Sequence, residues 1–188
     1  MNFPSTRFLS SALVAGFLAF PAFAAGDAPA QDDGATLTKE QKAERDCKAT
    51  RGKVWDKKNK KCVDAQEGML DDDSIYETGR DLAMMGRYDE AITILNFAAT
   101  PQDKRVLNYL GYSYRKSGQI DVGLKYYAQA LAVDPDYVLV REYLGEALIM
   151  KGDIVGAKAQ LAEIETRCGV TCEPYVDLRE ELKKINAI

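Results

Sequence analysis

The chain has four cysteines and no histidine, and that bounds its chemistry. Without imidazole the usual general base, the common serine and cysteine dyads and most zinc sites are missing a member. The cysteines stand at 47, 62, 168 and 172. Four thiolates make a zinc site in principle. In a chain that opens with an export signal, two short-range pairs fit disulfides better, Cys47 with Cys62 and Cys168 with Cys172. The sharpest catalytic reading is thiol–disulfide exchange at Cys168-Gly169-Val170-Thr171-Cys172, because Cys172 directly precedes a helix start at Glu173-Pro174, where thiol pKa values fall. Against it, three residues rather than two separate the thiols, and no βαβ pattern surrounds them. No glycine-rich phosphate loop or Gly-x-Ser-x-Gly elbow occurs. The chain is therefore read as non-enzymatic, with no catalytic residue, metal, cofactor or small-molecule substrate.

What remains is recognition, and the elements that would carry it are visible from Leu107 to Pro135. Leu107, Leu110, Gly111 and Tyr114 follow the i, i+3, i+4, i+7 spacing of one helix face. Ser117-Gly118 breaks that helix; Leu124, Tyr127, Ala128 and Leu131 repeat the spacing until Asp134-Pro135. A shift of 34 residues brings the unit back: Leu110 falls on Leu144, Gly111 on Gly145, Gly118 on Gly152, Gly123 on Ala157 and Tyr127 on Leu161. A weaker upstream copy carries Gly79, Leu82, Gly86, Ala91, Leu95 and Ala98, two residues short near Thr100-Pro101. Glycine inside a helix costs about 1 kcal/mol against alanine. Close helix crossing must offset that at Gly111 and Gly145, with Ala91, Gly123 and Ala157 as the facing small residues. Gly86, Gly118 and Gly152 fit the turns between paired helices.

This period, helix–turn–helix with small residues at two fixed places, resembles the tetratricopeptide repeat from about residue 72 to 171. The resemblance implies an all-α, right-handed solenoid of three helical hairpins, 72–171, closed by a capping helix, 172–188. It also implies a concave face lined by the first helix of each pair. On that face would lie Tyr76, Arg80 and Met84, then Asn108, Tyr112 and Arg115, then Glu142, Glu146 and Ile149. Tyrosine, arginine and methionine suit a protein or extended-peptide partner. Family members that clamp a C-terminal carboxylate do so with lysine, asparagine and arginine. Here Tyr76, Arg80, Tyr109, Leu139 and Tyr143 occupy those places, and only Arg80 could pair with a carboxylate.

In chain order, residues 1–24 read as a signal peptide: Arg7, an apolar core from Phe8 to Phe20, and Ala22-Phe23-Ala24 as the cleavage site. The expected location is periplasmic or secreted, after cleavage near Ala24. Residues 25–46 form a leader with a short helix, for which Thr38 and Gln41 make a capping box. Residues 47–63 form a small hairpin closed by the Cys47–Cys62 bridge, with Trp55 over it. Its lysines, Lys53, Lys57, Lys58, Lys60 and Lys61, suggest an envelope adaptor that docks on anionic lipid or polymer; equally, they are what an exposed sheet edge carries. Residues 64–71 are an acidic linker. The formal net charge of −4 argues against nucleic-acid binding. After the repeats, Tyr175, Leu178, Leu182 and Ile185 give the last helix one apolar face, and Cys168–Cys172 would pin it to the third unit.

Overall fold

Local capping fixes where the chain first turns helical. In a computed structural model that describes residues 37–66 and 70–188, helix α1 runs from Lys39 to Ala49. The side chain of Thr38 accepts from the Gln41 N–H, and the Gln41 side chain accepts from the Thr38 N–H, so two N-terminal donors are satisfied reciprocally. The signal peptide, most of the leader and residues 67–69 of the linker lie outside the described residues.

Strands β1 (Lys53–Asp56) and β2 (Lys61–Asp64) pair antiparallel, with Trp55 opposite Cys62 and Val54 opposite Val63. The Asp56 carboxylate closes the turn by accepting from both the backbone and the side-chain N–H of Asn59, at 2.9 and 2.7 Å. The disulfide from Cys47 to Cys62 forms, but Cys47 lies inside α1 rather than at the end of a strand. The bridge therefore staples a helix to the hairpin, and the sheet itself begins only at Lys53. Nor is the hairpin a separate appendage. Val54 and Ala65 share one apolar core with Ile75 and Leu82 of the next helix.

Six helices follow as three antiparallel pairs: α2 (Asp72–Met84) with α3 (Tyr88–Leu95), α4 (Lys104–Lys116) with α5 (Ile120–Val133), and α6 (Val138–Met150) with α7 (Ile154–Cys168). Gly86, Gly118 and Gly152, at φ +78°, +90° and +79°, make the turns within the pairs. α3 is the short member. The chain after it is tied back where the Asp72 carboxylate accepts from the N–H groups of Ala99 and Thr100, at 2.7 and 3.0 Å. In the middle pair the crossing is close enough to bring a glycine against backbone. A Cβ on Gly123 would come 2.7 Å from the Gly111 carbonyl oxygen, and one on Gly111 would come 2.5 Å from the Tyr127 ring. That contact answers the helix-propensity cost of both glycines.

Helix α8 (Glu173–Lys184) closes the stack. Leu178 and Leu182 are fully buried with Ala157, Leu161 and Ile164, and Leu178 covers Gly145. Ile185, expected on the same face, lies beyond the helix end and is exposed. The Cys168–Cys172 disulfide spans the break at Gly169, whose φ is +80°. Among the described residues no helix is long and apolar enough to cross a membrane.

Candidate binding groove

Residues four apart on a helix share a face. This places Tyr76 with Arg80 and Met84 on α2, Arg105 with Tyr109, Tyr112 and Lys116 on α4, and Glu142 with Glu146 on α6. Between the helices the tyrosines meet in a continuous line. Ring centroids are 5.9 Å apart for Tyr76–Tyr109, 6.0 Å for Tyr109–Tyr112 and 5.1 Å for Tyr112–Tyr143. Guanidinium groups cover the line: Arg105 lies 4.7 Å and Arg80 5.8 Å from the Tyr76 centroid. Arg115 sits between the Tyr112 and Tyr143 rings, at 5.4 and 5.6 Å. Such contacts hold large aromatic surfaces in fixed orientation.

The nine residues placed on this face by sequence divide by exposure. Tyr76, Arg80, Tyr112 and Glu146 are half-buried, and Met84 is exposed, so these five reach an open surface. Asn108, Arg115 and Glu142 do not. Asn108 is fully buried, with neither amide atom partnered, so it is not the groove contact expected of it. Arg115 is 3% exposed and already engaged: Nη1 lies 2.5 Å from Glu146 Oε2, and Nε donates to the Tyr127 hydroxyl at 3.2 Å. It ties α4 to α6 and α5 instead of standing free. Burial and the nearby guanidinium act in opposite senses on the Tyr127 hydroxyl, and burial wins, raising its pKa. Ile149 is intermediate in exposure and packs with the third-unit core.

Arg80 is also partly committed. Its Nε and Nη2 both donate to Asp81 Oδ1, at 3.0 and 2.8 Å. Burial would raise the Asp81 pKa, but hydrogen bonds from Lys48 and Arg80 outweigh it and hold the carboxyl below its ordinary value. The lone candidate for carboxylate clamping is thus charge-balanced by its own neighbour.

The far end of the face is acidic. Glu142 is 5% exposed and has no hydrogen bond or ion pair among the described residues. Its pKa is raised to about 8, first by burial, then by Glu146, Asp177 and Glu173; Arg115 pulls the other way. Asp177 and Glu173 come from α8, so the capping helix supplies charge here as well as cover.

Residues 108–168 match a sequence profile described as tetratricopeptide repeat. These residues form tetratricopeptide repeats. No curated protein matches the chain. Among solved structures, the first tetratricopeptide domain of Spaghetti (RPAP3), bound to the HSP90 peptide SRMEEVD, is 20% identical, with a TM-score of 0.52 over 65% of this chain and 96% of that one. The Yersinia enterocolitica type III secretion chaperone SycD, in complex with a peptide of the translocator YopD, is 17% identical, with a TM-score of 0.51 over 60% of this chain and 87% of that one. A MamA double mutant from RS-1 is 21% identical at a TM-score of 0.46; there the alignment spans 58% of this chain and only 57% of the other.

The helical stack has its lysine-rich hairpin at the N-terminal end, and most of those lysines are paired within the chain. Lys53 meets Asp64 at 2.7 Å, Lys57 meets Glu77 at 2.7 Å and Lys60 meets Glu40 at 2.8 Å. Lys58 and Lys61 are exposed and make no ion pair among the described residues. At the other end Cys172 stands at the N-cap position of α8, directly before the helix as expected, with its sulfur bonded to Cys168. No cluster of three or more metal-ligating side chains occurs among the described residues. Counting groove positions in sequence underweighted Arg105, Tyr109 and Tyr143. The i, i+4, i+7 spacing of Arg105, Tyr109 and Tyr112 was the available signal.

Proposed function

We propose that this chain is a non-catalytic, exported scaffold whose groove holds an extended segment of another protein. The observation that carries the reading is the tyrosine line from Tyr76 to Tyr143, set by Arg80, Arg105 and Arg115, in which Tyr109 is buried and Tyr76, Tyr112 and Tyr143 are half-buried. Rigid aromatic rings with polar tips offer contact area at low entropic cost, which suits recognition of a backbone whose side chains vary. The two structural relatives that carry peptides share the fold and support the same use of it. The two disulfides and the Arg7 to Ala24 segment support an oxidising compartment, for which we propose the periplasm.

Replacing Tyr76 and Tyr112 by alanine in one variant should abolish capture of the native partner, isolated by crosslinking from the envelope, while the protein keeps a cooperative melt. Full capture by that folded variant would overturn the reading.

A further inference from the structure

We infer that the acidic end of the groove is a seat for a cationic side chain, so that the bound segment carries a lysine or arginine that enters between α6 and α8 beside Glu142. The inference rests on the peptide-groove reading and adds the chemistry of the occupant.

Three observations carry it. Glu142 is 95% withdrawn from solvent and has no partner among the described residues, an arrangement that is costly for the ionised carboxylate unless it keeps its proton or a counter-charge takes the proton's place. The charged groups facing it are Glu146 from its own helix, Asp177 and Glu173 from α8, and Arg115 from α4. The single cation in that set is spent, because Arg115 pairs with Glu146 at 2.5 Å. Neither Glu173 nor Asp177 makes an ion pair among the described residues. Carboxylates outnumber cations here, whereas the guanidinium groups at the opposite end are already matched, Arg80 by Asp81 and Arg105 by Asp103 and Asp73. The unmatched negative charge at this one end selects a cationic side chain in the occupant.

A metal ion is the competing occupant, and the geometry disfavours it. These carboxylates do not approach one another closely enough to form a cluster of three ligands, even among residues that are all described. A divalent ion needs six or more oxygens at about 2.0–2.6 Å. A lysine ammonium or arginine guanidinium on a flexible stem needs only one or two carboxylates and reaches a recessed one.

The test uses the full chain and a library of nine-residue peptides, randomised except at a central position fixed as lysine, arginine, glutamine or glutamate. Binders should come from the lysine and arginine sets. For the tightest lysine peptide, Glu142→Gln should weaken binding roughly thirtyfold or more, the loss expected when a buried charge pair is broken. The same substitution should leave the matched glutamine peptide within about twofold. Tightening of the lysine peptide as pH rises through about 8 should accompany it, because the seat ionises there. Equal losses for both peptides, or binders with no cationic preference, overturn the seat. If those binders are still lost in the Tyr76/Tyr112 double-alanine variant, the groove reading stands without the seat. A library with no binders at all overturns both. Thermal melting of Glu142→Gln shows that it is folded, and Glu142→Asp, which keeps the charge, should retain part of the lysine preference.

Discussion

The substitution Glu142→Gln should convert a pH-dependent protein into a nearly pH-independent one between about pH 5 and 8, and the sign follows from linkage. The Glu142 carboxyl titrates at about 8 in the fold, against an ordinary value of 4.5. Between those values the folded chain holds a proton that the unfolded chain has released. Stability from this group is therefore complete below about pH 4.5 and is lost progressively until pH passes about 8. The slope reaches at most about 1.4 kcal/mol per pH unit, an upper bound near 5 kcal/mol over the window. Movement of the ionised carboxylate toward water reduces this, and about 2 kcal/mol is the working figure. For a domain of this size that corresponds to about 4–8 °C in Tm.

Because the chain contains no histidine, no other side chain has its ordinary pKa in that window. Melts of both proteins at pH 5, 6.5 and 8.5 measure the effect. The gap should be smallest at pH 5, and the glutamine variant should melt increasingly higher toward pH 8.5. Parallel profiles at every pH would refute the burial and isolation of Glu142.

Other perturbations separate the packing contacts from the charges. Gly123→Ala places a methyl against the Gly111 carbonyl, a backbone atom that cannot rotate away; overpacking of about 1–3 kcal/mol should exceed the helix-propensity gain of about 1 kcal/mol, giving a lower urea midpoint. Arg115→Met should cost about 1–3 kcal/mol by leaving the buried Tyr127 hydroxyl and the partly exposed Glu146 carboxylate without their donor, and adding Glu146→Gln should recover part of that loss in a double-mutant cycle. Replacing Cys47 and Cys62 by serine removes a cross-link over 15 residues; a loss of about 3 kcal/mol is expected, with increased hydrogen exchange at Val54 and Trp55.

The repeat architecture was legible because its determinants are local and periodic. The glycines at 86, 118 and 152 adopt the left-handed turns their spacing implies, and Leu178 and Leu182 bury the face that the closing helix advertises. The groove was legible only as a set of positions. Helical spacing tells which residues share a face, and it placed Tyr76, Arg80, Met84, Tyr112 and Glu146 where side chains do meet an open surface. It does not tell how deeply a neighbouring helix covers that face. Asn108, Arg115 and Glu142 are hidden by such cover, which depends on tertiary approach of α4, α6 and α8. The same reason explains the hairpin. Its strands follow from the local turn that Asp56 and Asn59 close, whereas its sharing of a core with Ile75 and Leu82 depends on contacts across residues remote in sequence.

Photocrosslinking tests the groove most directly. With a benzophenone amino acid at exposed Met84, on the first helix of the first pair, or at exposed Lys158, on the second helix of the third, the whole chain is irradiated in its native compartment. A discrete adduct from position 84, absent at 158 and lost when Tyr76 and Tyr112 are alanine, is the expected result. An adduct of equal yield from 158, or one from 84 that survives loss of both tyrosines, would contradict a partner held along the tyrosine line.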